Sequence, residues 1–420
     1  MKMPPLDARR LWQRVQALSE MTMPEAPWTR RAFTPLFDQS RRWLRAQMEA
    51  AGMQVHLDAG GNLIGRLAPR PDAPAGMRPL ITGSHCDTVM MGGRFDGIIG
   101  VLAGIEVAHA LNESGQALRH PLEVIDFLSE EPSDYGISCI GSRAFSGQLD
   151  ARMLAAANPA GETLAEGLRR VGGDPQALGQ PLRAAGSTAA FVELHIEQGP
   201  VLQTQGLPIG VVTHIVGIRR VRIVVQGQAA HAGTTPMHIR QDALAGAALV
   251  IDAARRQAGA MTGAGPYVVA TVGHLSLTPN ASNAVPGRVE MMLEVRSDQR
   301  AVLDTFVPQL MAACAPALAQ CRVRAEVQEV SLSLPTACDE RVMRAIETAA
   351  AGLDYPSMRM PSGAGHDAAY VAPTGPVGMV FVPCRDGHSH CPEEWLEPHQ
   401  LWDGARVLCR TLMVLDETLD

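Results

Sequence analysis

The sequence predicts an α/β fold: a larger, discontinuous domain interrupted by an inserted ferredoxin-like α+β domain. Three observations carry this. At 420 residues the chain exceeds what one hydrophobic core ordinarily supports. Four short apolar runs, at 80–84, 122–128, 190–194 and 377–382, read as buried strands, and each leads to a histidine or an acid. Between about 209 and 332 the pattern changes to alternating strands and two helices in the order β-α-β-β-α-β. The expected boundaries are 1–208 for the first part of the larger domain, 209–330 for the insert and 331–420 for the second part.

Each element follows from its local pattern. Residues 40–51 have helical periodicity and stop at Gly52, a residue suited to the position after a helix. The run 80–84 is a strand ending at His85. Ile98, Val101, Leu102, Ile105, Ala108 and Leu111 form one helical stripe, with Asp96 just before it. The strand at 122–128 delivers Glu130 and Glu131, and the strand at 190–194 delivers His195. The strand at 377–382 precedes the loop that holds His390. The Pro/Ala-rich stretch 67–79 reads as a surface loop, while 158–189 has too little periodicity to assign.

In the insert, Val221, Ile223 and Val225 alternate with polar neighbours, a helix spans about 241–257, and 267–277 is a strand. Val289, Met291, Leu293 and Val295 alternate against Arg288, Glu290, Glu294 and Arg296. A helix at about 300–320 and a strand at 322–330 complete the order.

A net charge of −7 with no Lys/Arg run argues against nucleic acid or an anionic membrane as partner and favours a small-molecule ligand. No run of about 18 uninterrupted apolar residues occurs, and residues 1–10 lack the pattern of a cleaved leader. A cytoplasmic location is the expectation. The eight cysteines include no CxxC pair, so they read as small buried hydrophobes rather than a disulfide framework.

The carboxyl ends of strands in an open α/β sheet form its ligand crevice, so His85, Glu130, Glu131, His195 and His390 should converge there. Taken singly, each has an ordinary alternative. Asp96 could be only a helix N-cap, His195 a hydrogen-bonded core histidine, and His388-x-His390 part of a zinc knuckle. A knuckle would require a second Cys/His pair at short spacing, which is missing. Two adjacent acids at a strand end are costly if buried unpaired, so Glu130 and Glu131 are either solvated or near a cation. Such a pair permits one acid to bind metal while the other moves a proton. Asp87 is placed to hold the second ring nitrogen of His85.

These five segments, in this order and around such an insert, resemble the zinc-dependent amidases of the hydantoinase/carbamoylase family, which includes N-carbamoyl-L-amino-acid hydrolases and allantoate amidohydrolases. The resemblance covers nearly the whole chain. It also rests on Gly227-Gln228-Ala229-Ala230-His231-Ala232-Gly233-Thr234-Thr235-Pro236-Met237, on Pro279-Asn280-Ala281-Ser282-Asn283-Ala284-Val285-Pro286-Gly287, and on Ser362-Gly363-Ala364-Gly365-His366-Asp367-Ala368. It implies a metallopeptidase-like catalytic domain with an inserted lid and dimerisation domain. It further implies two divalent metal ions per subunit, zinc foremost, with manganese, cobalt or nickel as substitutes. His85 and His195 would hold one ion, Glu131 and His390 the other, and Asp96 would bridge. Glu130 would be the general acid/base, and His231 would stabilise the oxyanion in the partner subunit of a homodimer. Asn283 and Arg296 would bind the substrate α-carboxylate, with Gln198 and Gly363-Ala364-Gly365 lining the pocket. The activity implied is hydrolysis of a linear amide or ureido C–N bond, in an N-carbamoyl-L-amino acid or allantoate. The alternatives are an aminoacylase or exopeptidase of the same superfamily, or a non-catalytic amino-acid-binding relative. Pro132-Ser133-Asp134-Tyr135 departs from the Gly-small-Arg-Phe run usual after the Glu pair, leaving the substrate's identity open.

Overall fold

The structure, a computed structural model, describes residues 2–262 and 265–419. The chain forms two units, Met1–Thr213 with Cys338–Met360 and His366–Asp420, and His214–Ala337 with Pro361–Gly365. The crossings fall a few residues after 208/209 and 330/331, the first inside the strand Ile209–Ile215 and the second just after the strand Thr336–Ala337, and 361–365 belong to the second unit.

In chain order the strands are β1 (Gln54–Leu57), β2 (Leu63–Leu67), β3 (Leu80–His85), β4 (Leu122–Phe127), β5 (Ala190–Ile196), β6 (Ile209–Ile215), β7 (Gly217–Gln226), β8 (Ala230–His231), β9 (Val268–Thr278), β10 (Ala284–Val285), β11 (Arg288–Ser297), β12 (Arg324–Ser333), β13 (Thr336–Ala337), β14 (Ser357–Ser362) and β15 (Val377–Val382). In the first unit the sheet order is β1-β2-β4-β3-β5-β15-β6. The four central strands, β4, β3, β5 and β15, run parallel. They are buried throughout, as their unbroken apolar runs require. The fully buried Phe127, Phe191 and Phe381 contribute roughly 1.5–3 kcal/mol each by the area they remove from water. Because the four strands share one direction, their C-terminal ends open on one edge of the sheet, in the order Glu130/Glu131, His85, His195 and the His390 loop.

Helices secure this frame. α1 (Ala8–Ser19) is capped by the Asp7 side chain and tied through Arg10 and Arg14 to the buried Glu106. α2 (Pro35–Ala50) starts five residues before the expected 40, because Thr34 caps it and Pro35 occupies its first turn. Its Arg41 forms a buried pair with Asp126 of β4 at 2.8 Å. α3 (Ile98–Glu113) is buried on nearly every side.

The second unit has the four-stranded antiparallel order β12-β7-β11-β9, so its β-α-β-β-α-β succession gives the ferredoxin-like arrangement. Val289, Met291, Leu293 and Val295 point into a core with Val221, Ile223 and Val225. The outer face carries cross-strand pairs such as Arg220–Glu294 and Arg222–Glu290. Helices Ala243–Thr262 and Arg300–Gln320 cover the inner face. The latter is long and apolar enough to cross a bilayer, but its Leu303, Phe306 and Leu310 are fully buried in this core.

Candidate metal centre

Asp96 is the hub of the site. It lies on the turn before α3, where Gly97 has φ 70°; a Cβ at that glycine would stand 2.5 Å from the His85 ring. Oδ1 of Asp96 is 2.9 Å from Nε2 of His195 and 3.8 Å from Nε2 of His85. Oδ2 is 2.9 Å from Nε2 of His390, which is also 3.1 Å from Oε1 of Glu131. Two donor groups therefore share one carboxylate, His85–Asp96–His195 and Asp96–Glu131–His390. All but His390 are buried.

The donors fit divalent cations. Imidazoles and carboxylates without a thiolate suit Zn²⁺, Mn²⁺, Co²⁺ or Ni²⁺. Each ligand histidine needs its second ring nitrogen held by an acceptor, and two show this. Nδ1 of His85 is 3.1 Å from the Asp87 carbonyl and 3.5 Å from its carboxylate, and Nδ1 of His195 is 2.9 Å from the Ile196 carbonyl. The carboxylates of Asp96 and Glu131, accepting hydrogen bonds from His390, push its imidazole up to about 11.

Glu130 stands apart from both donor groups, with Oε2 3.8 Å from Nε2 of His85 and its side chain 12% exposed. Burial pushes its carboxyl well above the usual range, opposed by His85 and reinforced by Glu131 and Asp367. The Cys139 thiol donates to Oε1 at 3.3 Å. The Asp87 carboxylate accepts the backbone N–H groups of both Glu130 and Glu131 at 3.2 Å, so it orients the acid pair as well as His85. Gln198 donates from Nε2 to Asp96 at 3.0 Å, leaving its buried Oε1 without a partner among the described residues. Ser129, Gln198 and His390 are non-glycine residues at φ 55–58°, a conformation that costs about 1–3 kcal/mol each and clusters at working sites.

The remaining expected site residues lie in the second unit. His231 on β8 pairs in register with Ala284 of β10, and the Asn283 carbonyl accepts the Ala232 N–H at 2.9 Å, so His231 and Asn283 neighbour one another. Arg296 donates to Glu294 and to the Gly363 carbonyl, each at 2.7 Å, which ties it to the Gly363-Ala364-Gly365 loop. A Cβ at Gly363 would lie 2.4 Å from the Tyr267 hydroxyl.

Several residues escaped the sequence reading. His366 packs edge-on against His195 with centroids 4.6 Å apart, and Asp367 accepts the Ser142 hydroxyl at 2.6 Å. Both belong to the quoted Ser362–Ala368 motif, whose first half alone was assigned to the pocket. Glu193 accepts from the Ser84 hydroxyl and the Ala368 N–H; an acid inside an apolar strand was the signal for it. Of the departing run, Asp134 pairs with Arg31, and Tyr135 is buried against Phe33 and donates to Glu162 at 2.6 Å.

The family model described as Peptidase family M20/M25/M40 matches residues 81–414. The N-carbamoyl-L-amino acid amidohydrolase of Geobacillus stearothermophilus is 41% identical over 98% of this chain and 99% of its own. The allantoate amidohydrolase of Bacillus subtilis (strain 168) is 32% identical over 92% of each. A solved structure of an amidase of the hydantoinase/carbamoylase family from Burkholderia multivorans has a TM-score of 0.88 at 36% identity, covering 98% of both chains. With one family model over most of its length and near-complete alignment to such relatives, the chain belongs to the peptidase family M20/M25/M40, in the branch of the hydantoinase/carbamoylase-family amidases.

Proposed function

We propose that this chain is a dinuclear metal-dependent amidohydrolase that cleaves the ureido C–N bond of an N-carbamoyl-L-amino acid, with allantoate as the second candidate. The observation that carries the reading is the two donor groups sharing Asp96, with Glu130 beside them and outside both. The names of the relatives support hydrolysis of a linear, non-peptide C–N bond. His85 and His195 would hold one cation, Glu131 and His390 the other, with Asp96 common to both. Bound there, divalent cations supply Lewis acidity toward the scissile carbonyl and lower the pKa of water.

The chain's own residues do the rest. An Oε atom of Glu130 accepts the proton of the attacking water and hands it to the leaving nitrogen; its buried, raised carboxyl suits it to hold that proton between steps. Asp87 keeps the acid pair from turning. Gln198, with its donor spent on Asp96, offers Oε1 as an acceptor for a substrate N–H. Arg296 and Asn283 are assigned the substrate α-carboxylate, for which the planar guanidinium fork is suited. His231 is assigned oxyanion donation in the partner subunit of a homodimer.

A chain stripped of metal and reloaded with zinc or manganese should be assayed on N-carbamoyl-L-amino acids, allantoate, β-ureidopropionate, N-acetyl amino acids and dipeptides. Ammonia release from the first or second class is expected. Turnover confined to N-acetyl amino acids or dipeptides would overturn the substrate class.

A further inference from the structure

Glu394 belongs to neither donor group, yet it is 1% exposed and fully engaged. Its Oε1 accepts the backbone N–H of Phe95 at 2.7 Å and of Asp96 at 3.1 Å. Its Oε2 accepts the hydroxyl of Ser389 at 3.0 Å, the residue before His390. Ser389 in turn receives Nε2 of Gln198 at 3.2 Å. The preceding loop is shaped to this carboxyl, since a Cβ at Gly93 would stand 1.9 Å from it. Burying a second acid beside Asp96 is unfavourable on charge grounds alone, so its hydrogen bonds must offset that cost. Asp87 makes the equivalent contact on the other side of the site, where its carboxylate accepts the N–H groups of Glu130 and Glu131.

We propose that Glu394 is a positioning residue that ties the Asp96 turn to the His390 loop, so that the Asp96–Glu131–His390 group is assembled before a cation arrives. The role rests on the reading of these side chains as metal ligands. Asp96 and His390 come from segments almost three hundred positions apart in sequence. His390, held at φ 55° and the most exposed of the five, has least of its own to fix it. One carboxylate spanning both segments removes their relative freedom, as outer contacts do for ligands generally.

The test is calorimetric titration of the full chain, stripped of metal, with Zn²⁺ or Mn²⁺ alone, comparing wild type, Glu394→Ala and Glu394→Gln. Gln can keep the geometry, its amide oxygen accepting the two backbone N–H groups and its NH₂ donating to Ser389. Glu394→Ala is expected to weaken one of two cations about 10- to 100-fold and leave the other near wild type, while Glu394→Gln restores the lost affinity to within roughly threefold of wild type. Two cations bound by Glu394→Ala as tightly as by wild type overturn the role, and so does Glu394→Gln being as defective as Glu394→Ala. Should Glu394→Ala fail to fold, Ser389→Ala carries the test, with weakening of one cation expected and unchanged affinity overturning the proposal. A wild-type chain that takes up no cation would instead sink the metal reading itself, so the two failures are distinct.

Discussion

At the scale of single residues, what was legible was each candidate ligand whose position follows from a strand end. His85, Glu130, Glu131 and His195 each follow an apolar run, and parallel strands bring such ends together without further instruction. His390 was harder, since several loop residues separate it from β15 and its turn is strained. Glu394 was not legible at all. It sits in Cys391-Pro392-Glu393-Glu394-Trp395, where no periodicity marks one glutamate as buried, and its partners at Phe95 and Asp96 are remote in sequence. The proposed division of labour between Glu130 and Glu131 yields a direct prediction. Glu130→Gln keeps the size and the neighbours of the side chain but cannot accept a proton, so kcat should fall about 10²- to 10⁴-fold with the metal content of the purified chain unchanged. Full turnover by this variant, measured at the same metal loading, would remove Glu130 from the chemistry.

At the scale of elements, boundaries marked by an apolar period were read more faithfully than those set by capping. The strand at 267–277 is found at Val268–Thr278 and the helix at 300–320 at Arg300–Gln320, because their apolar periods run to the ends. The start of α2 was missed because Thr34 and Pro35 signal by capping rather than by hydrophobic period. The same cause hid structure in 158–189. There Thr163 and Glu166 form a capping box that opens the helix Leu164–Arg170. Glu162 then pins this segment, accepting from Arg170 at 2.8 Å and from Tyr135 at 2.6 Å. The hydrogen bond from Arg170, with that from Tyr135, lowers the Glu162 carboxyl from its ordinary 4.5 to about 2. A folded pKa below the unfolded one adds stability that is complete above about pH 4.5 and drains away as pH falls toward 2. Because the pair is open to solvent, the effect should be roughly 1 kcal/mol or less. Urea midpoints of wild type should therefore exceed those of Glu162→Gln near neutrality and approach them below about pH 3. A gap that stayed constant across this range would mean the carboxylate is not the anchor.

At the scale of the whole molecule, the α/β class and the ferredoxin-like insert were both visible, the first from continuous apolar runs and the second from the β-α-β-β-α-β succession. Sheet order was not, since nothing local tells β7 to lie between β12 and β11. Nor was the return of Pro361–Gly365 to the second unit, because five residues carry no period of their own. For the proposed function, side chains from four strand ends and one helix-preceding turn must act as a single donor set. The most direct measurement is a crystal structure of the chain reloaded with zinc or manganese, with anomalous scattering recorded at the metal's absorption edge. Two anomalous peaks are expected, one among His85, Asp96 and His195 and the other among Asp96, Glu131 and His390. Full loading that left those positions without a peak, or put the metal on other side chains, would contradict the account.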